Sequence, residues 1–401
     1  MQGNDTMKRR KFLKTAAITG ASAGIVTKAR GAESNASRAR TLKRDLMRIG
    51  MVGYGPYSRA KEYTQAINDP SMPPRTNMQV VAVWGREDGY AASLRGTDEW
   101  KKKRLDEIQA FAGKENLAKF GIKTVVKRPE DLVPLVDGVF INDPDNALAL
   151  ARPFLAKGMP VLVTSPVAWS IRDARELVRL AKEGGSVLVA GSSVPWLKEF
   201  QVARSRINQA GTSVYYAEGL TESFCLSFPD IIETVQMLVG GRIERCATFG
   251  ISWPRDEDPL SIPQVMAHFQ HEKIEQSNPI VGVVTTWPGD PFRNWVAVHT
   301  RSAARGAQGG GRSRRGGPVE MGVMMEGSDL PVDTAEHLWL PFLRVVGRAF
   351  ETGVWPQDEA TILQKVEIML MAHKSGISNG MPVNIKEIED YSLPGFQTEK
   401  A

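Results

Sequence analysis

A short apolar run, Ile49-Gly50-Met51-Val52, feeds directly into Gly53-Tyr54-Gly55-Pro56-Tyr57-Ser58, and no other feature constrains the fold of this chain as strongly. A Gly-x-Gly-x-x-small turn after a strand is what a dinucleotide-binding loop needs. The first glycine permits the tight bend, the second lets backbone amides approach a pyrophosphate, and a small third residue lets the following helix pack close to the strand. The third position is Ser58 instead of glycine. If the turn does this work, it must sit in a βαβ unit with more strands and helices alternating behind it.

The first half of the chain has that alternation. Leu46 to Val52 and Met78 to Trp84 read as strands, with a helix over Arg59 to Asn68 and a Pro-rich loop from Asp69 to Pro74 between them. Asp98 to Ala118 reads as a charged helix. Short apolar runs follow at Ile122 to Val126, Val139 to Ile141 and Val161 to Val163, with a helical turn near Glu130 to Leu135 and a helix over Ala147 to Lys157. This is the pattern of a parallel, doubly wound sheet. After Gly191 the period changes. A helix at Leu197 to Gln209 leads to period-two stretches at Val214 to Leu220, Ile243 to Trp253, Ile280 to Thr286, Trp295 to Thr300 and Met321 to Met325. Helices read at Asp230 to Val239, Leu340 to Gly353 and Glu359 to Ile377 complete a mainly antiparallel sheet with helices on one face. Arg301 to Pro318, with five arginines and six glycines, reads as a hairpin loop.

The ends of the chain differ from its middle. Arg9-Arg10 followed by the Ala/Gly-rich run Thr15 to Val26 looks like a twin-arginine export signal, with an apolar segment of about a dozen residues against the roughly 20 a membrane span needs. The expectation is a protein exported through the twin-arginine translocase to the periplasm, with an uncleaved signal as an alternative tether. The first 44 residues hold 11 of the 51 Lys and Arg but only two of the 45 acids, so the formal charge of +6 becomes −3 from Asp45 onward. That balance offers nothing to nucleic acid. Cys225 and Cys246 could pair in an oxidising compartment or remain as two free thiols. The division expected is signal and linker over 1–45, a dinucleotide-binding domain over 46–190, a substrate and oligomerisation domain over 191–387, and a tail over 388–401.

Three landmarks together resemble the glucose-fructose oxidoreductase, inositol dehydrogenase and MocA family. The glycine turn is the first. The second is Asp137-Gly138-Val139-Phe140-Ile141-Asn142-Asp143-Pro144, followed after one helix by Lys157-Gly158-Met159-Pro160-Val161-Leu162-Val163-Thr164-Ser165-Pro166. The third is the pair of closing segments Phe350 to Pro356 and Ala372 to Val383. The likeness runs from about residue 47 to 387. It implies a Rossmann domain joined to an α+β domain with an open-faced sheet, a homo-oligomer, and a sugar or cyclitol substrate in the cleft. It implies cofactor contacts from Gly53, Tyr54, Gly55, Pro56, Tyr57, Ser58, Gly85, Arg86, Asn142, Asp143, Pro144, Thr164, Ser165 and Pro166.

The sequence departs from that family where its chemistry is done. The family's Glu-Lys-Pro motif, whose lysine sits by the nicotinamide, reads Thr164-Ser165-Pro166 here. A serine hydroxyl can hydrogen-bond a substrate but is a poor proton acceptor near neutral pH. The family's His and Asp on the substrate-domain helix fall on Asp230 and Glu233, and Glu218 to Phe228 replaces the usual Gly-rich approach. Three readings stay open: a dehydrogenase whose base has moved to Asp230, Glu233 or Glu222, with Ser165 orienting the hydroxyl; a redox-assisted glycosidase that recycles its cofactor; and a cofactor- or sugar-binding protein without turnover.

Cofactor choice rests on Gly85-Arg86, where an acid would bind the ribose hydroxyls of NAD. Arg86 favours the 2′-phosphate of NADP, while Glu87 or Asp88 would restore NAD. His268 and His271 could present two ligands on one helical face, but no third ligand follows by spacing, so no metal is expected. His337 is a weaker catalytic candidate, and Trp253 and Trp339 suit core packing better than stacking on a sugar.

Overall fold

The computed structural model describes residues 46–53, 59–85, 102, 106, 113–210, 213–221, 228–239, 242–249, 266–271, 281–286, 295–301 and 338–393. Six parallel strands, β1 (Met47–Val52), β2 (Met78–Trp84), β3 (Thr124–Val125), β4 (Gly138–Ile141), β5 (Val161–Thr164) and β6 (Leu188–Gly191), form the first sheet in the order β3-β2-β1-β4-β5-β6. Strands β4, β5 and β6 are buried at every position, as expected for parallel strands covered on both faces. The strand order reverses direction between β1 and β4, the switch point at which doubly wound sheets bind their ligands.

Helices α1 (Ala60–Asn68), α2 (Lys114–Lys119), α3 (Ala147–Leu155) and α4 (Ile171–Glu183) lie between these strands. Helix α4 starts where the Ser170 hydroxyl accepts the Asp173 amide at 3.1 Å, and its buried face, including Ile171, Ala174, Leu177, Val178 and Ala181, recurs at helical spacing. Neither α4 nor β6 is among the elements expected from the sequence, although Val187 to Gly191 is as apolar as the runs at Val139 to Ile141 and Val161 to Val163 and α4 buries one face at helical spacing.

Beyond β6 come α5 (Lys198–Ala210), β7 (Ser213–Thr221), α6 (Phe228–Val239), β8 (Ile243–Phe249), β9 (Met266–His271), β10 (Val281–Thr286), β11 (Trp295–Arg301), α7 (Leu340–Thr352), α8 (Glu359–Ile377) and β12 (Val383–Asn384). The second sheet runs β11-β7-β10-β9-β8-β12. Only the β7–β10 pair is parallel, so the expected mainly antiparallel sheet is present. Helix α6 packs on β7 and helix α8 on β8.

Two features cut across a division at residue 190. Helix α7 comes late in the chain, yet Leu340, Phe342, Leu343, Val346 and Phe350 are buried with Ile49, Met51, Val80 and Phe140 of the first sheet. The segment read as a tail from residue 388 also packs: Ile388 and Leu393 are buried, and the Leu393 amide donates to the Trp169 carbonyl at 3.1 Å. Among the described residues no helix is long and apolar enough to cross a membrane. The expected signal at 1–45, the 301–318 loop apart from Arg301, and the strand expected at Met321 to Met325 lie outside the described residues.

Candidate active site

The sequence-predicted cofactor residues that are described lie along one edge of the first sheet, at the carboxyl ends of its strands. Gly53 ends β1 with φ +87°, a left-handed value that a side chain would resist, and its amide donates to the Trp84 carbonyl at 3.1 Å. Gly85 ends β2 with open space where a Cβ would stand. Asn142 follows β4. Its amide donates to the Val52 carbonyl at 2.8 Å and its Nδ2 to the Phe140 carbonyl at 3.2 Å, while its buried Oδ1 has no hydrogen-bond partner. Asp143 accepts from Asn146 Nδ2 and precedes a short 3₁₀ turn, Pro144–Asn146. Tyr54, Gly55, Pro56, Tyr57, Ser58 and Arg86 lie outside the described residues, as do Glu222, Cys225, Trp253 and His337.

Thr164, Ser165 and Pro166 turn off the end of β5. The Thr164 hydroxyl donates to the Ile141 carbonyl at 3.2 Å, the Ser165 amide donates to the Gly191 carbonyl at 3.1 Å, and the Ser165–Pro166 peptide bond is cis. Ser165 is half-buried and its neighbours are buried. Its hydroxyl and that of Ser192 lie close enough to the carboxylate of Asp230, in the first turn of α6, to hold its pKa down against burial. The two catalytic candidates Ser165 and Asp230, far apart in sequence, are therefore in contact.

Asp230 and Glu233 are 3% and 4% exposed, one helical turn apart. Burial raises the pKa of both, because a carboxylate loses its hydration there. For Asp230 the Ser165 hydroxyl and the charge of Arg59 oppose that rise, and Oδ1 is left without a partner. Glu233 is held differently. Its Oε1 accepts from Lys365 Nζ at 2.9 Å and from Gln357 Nε2 at 2.6 Å, so it forms a buried ion pair instead of standing free as a base. Each keeps one buried carboxylate oxygen without a partner, Asp230 Oδ1 and Glu233 Oε2, but only Glu233 is in an ion pair.

Around this pair, Tyr63 of α1 is fully buried with no partner for its hydroxyl, and desolvation raises its pKa. Arg59, at the start of α1, stacks over Trp339 at 5.1 Å from the ring centroid, and Tyr63 meets the same indole edge-on at 5.8 Å. Trp339 is thus part of the packing, as expected. His268 and His271 lie on strand β9, so the helical spacing that would have paired them as ligands is absent. Among the described residues no cluster of three His, Cys, Asp or Glu could hold a metal ion. Cys246 is a free, buried thiol.

Sequence reasoning missed Lys365, Gln357, Gly191, Ser192, Arg59 and Tyr63. The Ser192-Ser193 pair after an apolar strand was a usable signal. Lys365 gave only a faint one, a single ammonium ahead of the apolar run Ile368-Met369-Leu370-Met371.

A dinucleotide suits this edge. Gly53 makes the left-handed bend that such a turn needs after β1, nothing stands where a Cβ of Gly85 would be, and the orphaned Asn142 Oδ1 is a buried acceptor lacking a donor. Residues 47–192 match the family model described as "Oxidoreductase family, NAD-binding Rossmann fold", that of Gfo/Idh/MocA proteins. None of the curated proteins matches the chain. Among solved structures, a probable dehydrogenase from Thermotoga maritima is similar with TM-score 0.60 at 13% identity, covering 85% of this chain and 100% of its own. The scyllo-inositol dehydrogenase from Lactobacillus casei with bound NAD(H) and scyllo-inositol gives TM-score 0.61 at 14% identity, covering 85% and 100%. An oxidoreductase from Agrobacterium radiobacter in complex with NAD+, L-tartaric acid and magnesium gives TM-score 0.58 at 15% identity, covering 85% and 99%.

Proposed function

We propose that this chain, whose residues 47–192 form a Gfo/Idh/MocA-family NAD-binding domain, oxidises or reduces a secondary hydroxyl of a sugar or cyclitol, with Asp230 exchanging the hydroxyl proton and Ser165 orienting the hydroxyl. The observation that carries this reading is the contact between Asp230 and Ser165 at the end of β5, where one carboxylate oxygen is buried without a partner. A carboxylate whose pKa is raised by desolvation is a better proton acceptor near neutral pH than one in water. In the oxidative direction the substrate O–H bond breaks, its proton goes to Asp230 and a carbonyl forms. A nicotinamide bound along the strand ends would accept the hydride. The raised pKa also lets protonated Asp230 return the proton in the reductive direction.

The inositol dehydrogenase neighbour supports a polyol as substrate, and the family supports NAD. The sequence Gly85-Arg86 supports NADP in preference, since an arginine following the second strand can pair with a 2′-phosphate. The arginine pair at Arg9-Arg10 supports export by the twin-arginine route, with the nucleotide carried inside an already folded protein. We further read the chain as a homo-oligomer, as the sequence resemblance implies.

The test begins with protein exported from its own signal, denatured so that any released nucleotide is separated and identified as NADP or NAD. Purified protein is then supplied with each cofactor and a panel of cyclitols and sugars while absorbance at the reduced nicotinamide band is followed. Turnover in the wild type that falls 100-fold or more in Asp230→Asn, with cofactor binding kept, is the expected result. Full turnover in Asp230→Asn would remove the role assigned to that residue. Failure of both nucleotides to bind would remove the oxidoreductase reading.

A further inference from the structure

Buried charge among the described residues gathers at the end of β6. Lys365 is 3% exposed, and its Nζ donates to Glu233 Oε1 at 2.9 Å and to the Ala190 carbonyl at 2.6 Å. Gln357 closes a ring with them. Its Nε2 donates to the same Glu233 oxygen at 2.6 Å, and its Oε1 accepts the Ala190 amide at 3.3 Å.

The ring bears on Gly191. That residue has φ +118°, and a Cβ there would come 2.5 Å from Lys365 Nζ and 2.6 Å from Glu233 Oε2. The ion pair can therefore lie against the strand end only because Gly191 has no side chain. The Gly191 carbonyl in turn accepts the Ser165 amide at 3.1 Å, and the Ser165 hydroxyl lies close enough to the Asp230 carboxylate to lower its pKa. A continuous set of contacts runs from Lys365 through Gly191 to the candidate proton acceptor.

We propose that Lys365 is a positioning residue for this site, supplying from α8 the ammonium that position 165 lacks: it holds Glu233 ionised, fixes the Gly191 turn under Ser165, and leaves Asp230 as the carboxylate that gains and loses a proton. The inference rests on the reading of this strand-end cluster as a reaction site, but its test does not depend on turnover.

The physical case is one of charge counting. Asp230 and Glu233 are two buried carboxylates one turn apart, and without a nearby cation one of them would hold a proton at neutral pH. Lys365 lowers the pKa of both, and acts more strongly on Glu233, which it touches. The other groups facing Asp230 are the hydroxyls of Ser165 and Ser192 and the charge of Arg59, while Tyr63 on α1 feels the charge of Asp230. These do not change between the variants below.

The experiment follows side-chain carboxyl carbons by NMR in full-length protein labelled at Asp Cγ and Glu Cδ, with the resonances of interest assigned by their loss in Asp230→Asn and Glu233→Gln. Glu233→Gln removes one negative charge and keeps the ammonium, so the midpoint of Asp230 falls by about one unit or more. Lys365→Met leaves the two acids with only the charge of Arg59, which acts on Asp230, so one further carboxyl, that of Glu233, is protonated at pH 7. The double variant Lys365→Met/Glu233→Gln restores the local charge, and the Asp230 midpoint returns to within about half a unit of wild type. If Lys365→Met does not fold, Glu233→Gln and the double variant still decide the matter. A midpoint for Asp230 that is unchanged in Glu233→Gln, or that rises, overturns the proposal. Because no substrate is added, these shifts can appear even if the cleft proves to catalyse nothing, and turnover can exist without them.

Discussion

His373 on α8 is 2% exposed, its Nδ1 hydrogen-bonded to the Tyr391 hydroxyl, and burial pushes its pKa down to about 4 from 6.5. The sign of the consequence follows from proton counting. Between pH 6.5 and about 4 the unfolded chain binds a proton at this position and the folded chain does not, so the contribution to stability is complete above 6.5 and is lost as pH falls. A shift of that size corresponds to about 3 kcal/mol. His373→Gln, which cannot titrate, should give a urea midpoint that falls less between pH 7.5 and 4.5 than the wild-type midpoint does; parallel losses in the two proteins would show that His373 is not responsible. Asp230 and Glu233 work in the opposite direction. Their folded pKa values are raised, so their contribution is complete below the ordinary carboxylate range and is lost as pH rises through the raised values. Asp230→Asn should thus be more stable than wild type at pH 8 and gain less, or nothing, at pH 3.5. Equal differences at the two pH values in chemical denaturation would contradict that.

At the scale of elements, α7 is held to the first sheet by a close approach that has no room for a side chain. A Cβ on Gly347 would stand 2.0 Å from Asn77 Oδ1, and Asn77 bridges the two parts: its Nδ2 donates to the Gly347 carbonyl at 3.1 Å and its own carbonyl accepts the Met47 amide at 2.9 Å. In an isolated helix Gly→Ala would be favourable by roughly 1 kcal/mol. Here Gly347→Ala should instead destabilise by about 1–3 kcal/mol, because Asn77 must leave its place at the start of β2. A variant with a raised denaturant midpoint would show that the contact relaxes freely. The limit of sequence reading is also clearest at this scale. Long, predominantly apolar segments were legible, such as Met78–Trp84 and Glu359–Ile377, which the structure reproduces residue for residue, whereas the amphipathic Ile171–Glu183 was not. The chemistry-bearing Ser165 and Asp230 were found through motif positions and prove to touch. What local pattern could not give was the partner across space. Nothing around Glu233 announces that Lys365 will lie 2.9 Å from it, and nothing around Leu340–Thr352 says that this helix returns to the first sheet instead of staying with the second. Strand β9 was missed for a related reason, since Ala267 to Glu272 carries no clear alternation and draws its pairing from β8 and β10.

For the molecule as a whole, the two sheets share one core. A single cluster of buried residues includes Val139, Val161 and Leu188 from the first sheet, Ile243 and Cys246 from the second, and Ile231, Val235, Ile368, Met369 and Leu370 from helices α6 and α8 between them. Separately folded domains joined by a linker would bury such side chains in two independent sets and could melt apart. With the core continuous, neither half keeps its apolar faces covered when the other opens. Calorimetry of the full chain should therefore give one transition, and cofactor that contacts only the first sheet should move the whole of it. At a free concentration 100 times its dissociation constant a ligand specific to the folded state adds about 2.7 kcal/mol. Hydrogen exchange supplies the decisive reading, because under that load the amides of α8, which belongs to the later half of the chain and carries Lys365, should gain protection together with those of β1 and β4. If the heat absorption splits, and nucleotide protects the first sheet while α8 exchanges as before, the ion pair at the end of β6 does not couple the two halves.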